Sequence, residues 1–117
     1  DFGNSMIIRL NFRSKDEKDV RIFMALEEIL VLRAVSAMLE IPLTKMDKLV
    51  MNAGKELSIR IAEQVGIHRH LSSRYQLDSS HFMTAEQFQK IFYLETFDYS
   101  LLFNTGHGYF AFCVKLI

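Results

Sequence analysis

The sequence predicts an α+β fold in a single domain, residues 1–117, with an N-terminal strand, three helices and a C-terminal antiparallel hairpin. Three observations favour this class. Residues 5–13 alternate between apolar and polar side chains, residues 16–65 carry apolar side chains at helical spacing, and residues 99–117 hold two apolar runs around a glycine-containing loop. A chain of 117 residues is expected to bury somewhat under ~70% of the surface that it exposes when unfolded, which supports a real core.

The first predicted element is a strand over residues 5–13, whose side chains alternate between two faces. The apolar face carries Ile8, Leu10 and Phe12, and the polar face carries Arg9, Asn11 and Arg13. Such alternation is typical of a half-buried strand. We expect an edge strand with a solvated outer face.

The polar face of this strand also has a functional interpretation. Arg9, Asn11 and Arg13 resemble the base-reading ribbon of ribbon-helix-helix repressors. In such proteins a two-stranded ribbon enters the major groove, where Arg and Asn side chains can read base edges. The segment that follows departs from that family, because it is longer than the family's helix and lacks a glycine-containing turn. A ribbon-helix-helix-like DNA-binding transcriptional regulator is therefore the alternative function.

A long first helix is predicted from about Asp16 to about Glu40. Ser14 supplies an N-cap, and the acidic residues that follow it complement the helix dipole. Apolar side chains between residues 20 and 39 cover well over half of the helix circumference, which is typical of a helix buried on several sides. Because a domain this small buries such a helix with difficulty, we expect a homodimer.

A second helix is predicted over about residues 45–65. Thr44 and Asp47 form a start that resembles a capping box, and Gly66 supplies a left-handed stop. The apolar face of this helix includes Gly54. A glycine inside a helix costs roughly 1 kcal/mol relative to alanine. We expect a compensating close approach of another backbone or of a ligand at this position.

Three further elements follow. Residues 67–80 are mostly polar and predict a loop. Thr84 and Gln87 form a capping box that opens a third helix, which continues to about Thr96. Two apolar runs then flank residues 104–108 and predict a hairpin. Because neither run alternates, both strands are expected to be covered on both faces.

Composition bounds the function and the location. Fourteen basic and fourteen acidic residues give a formal net charge of zero, so no domain-wide field attracts nucleic acid or anionic lipid. The single cysteine, Cys113, excludes an internal disulfide and a multi-cysteine zinc site. Residues 22–39, the longest apolar stretch, contain charged side chains and are too polar for a membrane span. With no segment that resembles a signal peptide, these features predict a cytoplasmic protein.

Candidate catalytic and metal-binding residues are few. His68, His70 and His81 are close in sequence, but no carboxylate or thiolate has a supporting spacing, so we expect exposed loop histidines. Cys113 lies in an apolar run, where burial raises the pKa of a thiol and lowers its reactivity. No nucleophile elbow is present in the sequence. We therefore expect a non-enzymatic protein that holds no metal or cofactor.

A family resemblance covers residues 49–116. Its features are a helix with a central glycine (AGKEL, residues 53–57, through Glu63), a capped Phe-rich helix from Thr84, and the aromatic hairpin of residues 97–116. This order of elements resembles the ligand-binding domain shared by 4-vinyl-reductase-type proteins and the vesicle-tethering TRAPP subunits. The resemblance implies an α+β homodimer with an apolar cavity between helices and hairpin, which binds a small hydrophobic molecule and regulates another process.

The residues themselves are compatible with such a pocket. Abundant Phe and Met, a glycine inside a helix and few convergent polar groups are typical of a site that recognises its ligand by shape and burial. The lining candidates are Met46, Met51, Gly54, Phe88, Phe92, Phe103, Phe110 and Phe112. A plain hydrophobic core explains each of them equally well. The leading hypothesis is a dimeric sensory or interaction domain, in which a hydrophobic ligand would stabilise one of two dimer packings.

Overall fold

The computed structural model describes residues 3–15, 18–65 and 75–117. Within these ranges the chain forms an α+β fold, with five strands in one antiparallel sheet and three helices. The strands are β1 (Ser5–Ser14), β2 (Val20–Glu27), β3 (Tyr75–Met83), β4 (Tyr99–Thr105) and β5 (Gly108–Leu116), and the helices are α1 (Glu28–Leu39), α2 (Lys48–Val65) and α3 (Ala85–Leu94). The strand order across the sheet is β3-β1-β2-β5-β4. The predicted α+β class is therefore confirmed.

The two faces of the sheet are covered by different helices. On the α1 and α2 side the buried core comprises Met6, Ile8, Leu10, Phe12, Val20, Ile22, Met24, Leu26, Val31, Val35, Val50, Ala62, Tyr75 and Phe112. On the α3 side it comprises Ile7, Phe23, Ala25, Phe88, Ala111 and Cys113. The α3 side has the smaller core, which leaves part of that face to polar side chains.

The predicted first helix is wrong over Val20–Glu27, which forms β2 instead, and residues 16–17 at its predicted start lie outside the described part of the chain. β2 pairs with β1 on one side and with β5 on the other. Its Ile22 and Met24 are buried on the α1 and α2 side, and its Phe23 is buried on the α3 side. A strand covered on both faces is apolar at successive positions and loses the alternation that distinguishes it from a helix. The homodimer was predicted because a helix over residues 16–40 would be apolar around most of its circumference. Because that helix is not formed over its full length, this reason for a second copy no longer applies.

β1 extends to Ser14, the position at which the sequence predicts a helix N-cap. Ser14 is the last residue of β1, and its backbone N–H donates to Asp19 Oδ1 at 3.1 Å. The predicted C-terminal boundary is close to the observed one, because α1 ends at Leu39. Glu40 then adopts a left-handed conformation with φ 58°, and its N–H donates to the Ser36 carbonyl. This backbone hydrogen bond satisfies one of the last carbonyls of the helix.

β1 is an internal strand. Its apolar residues Ile8, Leu10 and Phe12 are buried, as the alternation predicts. The predicted edge position is wrong, because β3 pairs with its outer side along most of its length. Residues 75–80, which were predicted to lie in a loop, belong to β3, and residues 67–74 lie outside the described part of the chain.

α2 packs closely over the start of β1. It begins at Lys48, after Asp47, whose Oδ1 accepts the Val50 N–H at 2.9 Å, so Asp47 caps the helix directly. The predicted stop at Gly66 lies outside the described residues. A Cβ added to Gly54 would lie 2.7 Å from Met6 Sδ and 3.1 Å from a Val31 methyl group. Gly54 is closely approached, but the approaching groups are side chains of β1 and α1 and not the backbone or ligand that the sequence predicts.

The C-terminal elements follow the prediction more closely. The capping box at the start of α3 is formed, with Thr84 N–H donating to Gln87 Oε1 at 3.0 Å and Gln87 N–H donating to Thr84 Oγ1 at 3.1 Å. β4 and β5 form the predicted hairpin. In the described ranges no helix combines the length and the apolar character needed to cross a bilayer.

Candidate functional site at the uncovered edge of the sheet

β4 forms one edge of the sheet and is both apolar and exposed. Its sequence, YSLLFNT, contains no charged residue and no proline. Leu102 is 68% exposed, Tyr99 is 51% exposed and Phe103 is 43% exposed. The register between β4 and β5 runs without a shift along the whole strand. An edge strand of this kind presents a row of unpaired backbone N–H and C=O groups on which another strand can pair.

The exposed side chains of β4 lie on both faces of the sheet. Phe103 is opposite Phe110 on the α1 and α2 side, where the two rings stack with centroids 5.4 Å apart and planes at 11°. Leu102 is opposite Ala111, which belongs to the α3 side. The expectation that both hairpin strands are covered on both faces is wrong for β4. It holds for the middle of β5, where Ala111 and Phe112 are buried on opposite faces.

A groove of about 790 Å³ lies beside α1, and its walls are mainly apolar. The apolar lining residues are Ile29, Leu30, Leu32, Ala34, Pro42 and Leu43. Arg33 and His107 form its polar rim, with Arg33 Nη1 and His107 Nδ1 3.0 Å apart. A mainly apolar groove with a small polar rim fits either a hydrophobic molecule or an apolar surface of a partner.

The start of α1 and the β4–β5 turn are held against each other. Glu27 Oε1 accepts the Tyr109 N–H at 3.1 Å, and the hydroxyl of Tyr109 is hydrogen-bonded to that of Ser5. Gly108 has φ +135°, and a Cβ added there would lie 3.2 Å from Glu27 Oε1 and from Leu30 Cβ. Only glycine fits this contact without strain. The groove and the exposed edge are therefore joined at one end of the sheet.

The eight predicted lining residues do not share one cavity. Six of them, on the α1 and α2 side, are Met46, Met51, Gly54, Phe103, Phe110 and Phe112. On the α3 side, Phe88 is buried and Phe92 packs beside it, with ring centroids 5.8 Å apart. The sheet separates the two groups, and none of the eight lines the groove beside α1.

Sequence reasoning missed the groove residues of α1 because the apolar residues between 20 and 39 were assigned to a longer helix buried on several sides. Once α1 is confined to residues 28–39, Val31 and Val35 form its buried side. Ile29 remains 47% exposed although it is large and apolar. The signal that could have identified the groove is the presence of apolar residues on more than one side of this short helix.

Asn11 and Arg13, proposed as DNA-reading residues, are engaged within the sheet. Asn11 Nδ2 donates to Ser79 Oγ at 2.8 Å, and Asn11 Oδ1 accepts Arg21 Nε at 2.9 Å. Arg13 forms an ion pair with Asp78 at 3.1 Å. Arg9 lies on the same face, nearer to α3, and lines a second cleft. These side chains belong to an internal strand of a five-stranded sheet, which is not a free two-stranded ribbon.

The remaining candidates have simple structural roles. Cys113 is buried as predicted, and burial raises the pKa of its thiol to about 11. At neutral pH this residue is therefore a neutral thiol, which is a poor nucleophile. His81 is an exposed residue of β3, and His68 and His70 lie outside the described residues. In the part of the chain that the structure describes, no group of three or more His, Cys, Asp or Glu side chains could hold a metal ion.

Comparison with known proteins adds no further constraint. The chain matches no protein-family model, no curated protein and no solved structure. The resemblance to the 4-vinyl-reductase and TRAPP domain stays a prediction. Function is therefore argued from the geometry of the sheet edge and of the clefts.

Proposed function

We propose that this protein is a non-enzymatic interaction domain that forms a homodimer by pairing β4 with β4 of a second copy. The observation that supports this most directly is an exposed edge strand without charge, proline or register shift. Isolated proteins with such an edge are prone to uncontrolled pairing, so natural sheets usually protect their edges. A defined partner that pairs with the edge prevents this uncontrolled pairing.

A second copy is the partner that this strand fits by symmetry. A two-fold axis through the middle of an edge strand brings the same strand of two copies together in antiparallel orientation, so one patch serves both subunits. Pairing centred on Leu102, the middle of β4, places Leu101 opposite Phe103 of the other copy. Aromatic and aliphatic cross-strand pairs of this kind contribute about 0.2–1 kcal/mol each.

The affinity of such a dimer depends on the apolar surface that pairing covers. Leu102 is 68% exposed and occurs once in each copy, at the centre of the symmetric pairing. Burial of apolar surface and new backbone hydrogen bonds favour association, whereas the loss of translational and rotational freedom opposes it. We therefore expect a dimer that dissociates on dilution and is strengthened where the apolar surface beside α1 is also covered.

Sedimentation velocity on matched edge variants tests this proposal. The wild type is expected to sediment as a dimer at high micromolar concentration. Leu102→Lys places a charge at the centre of the pairing and is expected to give a monomer, because two ammonium groups would face each other. The matched control is Leu77→Lys, which adds the same charge at a 38% exposed position of the opposite edge. This control should remain a dimer.

The result that would contradict the proposal is equally clear. A wild-type chain that stays monomeric at high concentration, or an equal loss of association in both variants, rules out β4 as the pairing edge. Circular dichroism of both variants checks that the sheet is intact. A folded Leu102→Lys protein that remains dimeric would place the interface elsewhere.

A small hydrophobic molecule in the groove beside α1 is a second candidate, supported by its apolar lining and its volume of about 790 Å³. Native mass spectrometry of freshly purified protein should then show a copurified lipid-like mass. Ala34→Trp fills the groove and should remove that mass, whereas Ala37→Trp, on an exposed helix position that does not line the groove, should retain it. A ligand-free wild type would eliminate this candidate.

The DNA-binding alternative is not favoured by the position of β1. Its polar residues would have to enter a groove while β1 is paired on both sides within the sheet. Retention on duplex DNA that falls with salt and disappears in an Arg9→Ala, Arg13→Ala variant would restore it.

A further inference from the structure

We propose that a cleft on the α3 side of the sheet binds a small organic anion through Arg9. This cleft of about 420 Å³ lies where β1, β3 and α3 meet. Its polar lining residues are Arg9, His81, Gln87 and Lys90, and Met83 and Ile91 form apolar walls. The volume falls within the range of about 300–1,000 Å³ that is usual for small-molecule sites.

Arg9 is the central residue of the cleft, because one of its hydrogen-bond donors is buried without a partner among the described residues. Its Nε is buried and has no hydrogen-bond partner among the described residues. A buried donor that lacks a partner costs about 1–3 kcal/mol, and more when the group is charged. A guanidinium placed in this way is stabilised by any acceptor that enters the cleft, and an anionic acceptor stabilises it most.

Three other basic side chains of the sheet on this face have partners. Arg21 donates to Asn11, Arg13 is paired with Asp78, and Lys115 Nζ lies 3.3 Å from a carboxylate oxygen of Glu95. Arg9 differs from these three, since no acidic side chain among the described residues lines its cleft. The missing counterion is the feature that points to an external anion.

The surrounding side chains add donors of the appropriate kind. His81 is directly opposite Arg9 in the β1–β3 register, which places the two side chains on one face at about 4.5–5.5 Å between Cβ atoms. Lys90 contributes a second basic side chain to the cleft. Gln87 uses its Oε1 to cap α3, accepting Thr84 N–H, so its amide NH₂ group is the part that can donate to a ligand.

The apolar walls of the cleft indicate a ligand that carries an apolar group in addition to its anionic group. Met83 and Ile91 are partly buried residues that pack against the core on this side and also line the cleft. A ligand with a carboxylate or phosphate head and a short apolar tail would satisfy Arg9 and cover these walls. The two head groups share the same chemistry, because an arginine fork binds either through paired hydrogen bonds.

A chemical-shift titration with defined probes tests the site. The probes are acetate, hexanoate, inorganic phosphate and hexyl phosphate, added to ¹⁵N-labelled protein at constant ionic strength. We expect saturable shifts confined to β3, α3 and the residues around Arg9 in β1, with hexanoate binding more tightly than acetate or hexyl phosphate more tightly than inorganic phosphate. Whichever tailed probe binds more tightly identifies the head group.

Matched variants separate this site from general anion attraction. Arg9→Gln should weaken binding by roughly tenfold or more, because it removes the charged fork. Arg13→Gln, the same change on the same strand but outside the cleft, should leave binding unchanged. If Arg9→Gln impairs folding, Lys90→Ala at an exposed position should weaken binding severalfold. Shifts that are absent, unsaturated, independent of the tail or equal in all variants would overturn the proposal.

Discussion

The two edge strands of the sheet, β3 and β4, differ in the features that protect an edge from pairing with another strand. β3 carries Asp78, which is paired with Arg13, and its register with β1 shifts between Asn11 and Phe12. β4 carries no charge, and its register with β5 has no shift. Charges and bulges are the usual means by which proteins prevent pairing at an edge.

The sheet therefore has one protected edge, β3, and one open edge, β4. A strand approaching β3 would meet a charged side chain and a local irregularity in the ladder. A strand approaching β4 would meet a regular backbone flanked by Leu102 and Phe103, both exposed. We assign β4 to association, and the proposed polar cleft around Arg9 lies near the β3 edge.

The largest expected effect on the free energy of unfolding comes from removing an aromatic ring near each edge of the sheet. Phe12, on the β3 side, is 3% exposed, so Phe12→Ala should lower the free energy of unfolding by about 3–5 kcal/mol. Phe103 is half-exposed and stacks on a single neighbouring ring. Phe103→Ala should therefore cost only about 1–2 kcal/mol in dilute solution. Urea unfolding at low protein concentration measures both values.

The same pair distinguishes core from interface. Raising the protein concentration should stabilise the wild type further, because dimerisation stabilises the folded state by mass action. Phe103→Ala should lose most of that gain and Phe12→Ala should keep it. Equal costs for the two substitutions in dilute solution would mean that β4 is as well packed as the rest of the sheet.

A smaller effect is expected at Gly54 of α2, which lies close to Met6 of β1, the strand next to β3. Gly54→Ala gains about 1 kcal/mol of helix propensity, but its Cβ would overlap Met6 and crowd Val31. Overpacking costs typically about 1–3 kcal/mol, so we expect a net loss of about 1 kcal/mol in the free energy of unfolding. Thermal or urea unfolding reports the change.

Truncating Met6 should reverse the sign of this effect. In a Met6→Ala background the space around Gly54 is open, and Gly54→Ala should become stabilising by up to about 1 kcal/mol. A double-mutant cycle gives the coupling between the two sites. Independent effects at the two positions would show that the close approach does not control the packing of α2.

The smallest effect is expected at the β3 edge itself. Arg13 and Asp78 are both well exposed, so their ion pair is screened by solvent, and Arg13→Gln should change the free energy of unfolding by less than about 1 kcal/mol. The oligomeric state should be unchanged, because Asp78 still places a charge on the edge. A loss of more than that amount, or a change in association, would mean that the β3 edge contributes more than protection.

Local signals in the sequence predicted local elements well. The alternation in β1, the Thr84–Gln87 capping box of α3 and the turn chemistry of the β4–β5 hairpin each depend on neighbours in sequence, and each element is found. The glycine inside α2 correctly indicated a close neighbour at Gly54 but not its kind, since the neighbours are the side chains of Met6 and Val31 and not a backbone or a ligand.

The errors lie where distant parts of the chain decide the structure. The sequence of β2 predicts a helix for two reasons. Both faces of the strand are covered, so its apolar residues do not alternate with polar ones, and Met24, Ala25 and Leu26 are good helix formers. β3 was missed because an exposed polar strand carries little periodic signal. The open edge could not be predicted either, since which strand lies outermost depends on long-range pairing.

Hydrogen exchange measured as a function of protein concentration distinguishes pairing through β4 from other modes of association, because it reports on β3 and β4 separately within one sample. From low micromolar to near-millimolar concentration, we predict that the backbone amides of β4 become progressively protected while those of β3 keep the same exchange rate. Protection of β4 that does not change with concentration, or protection that rises equally at both edges, would contradict pairing through β4.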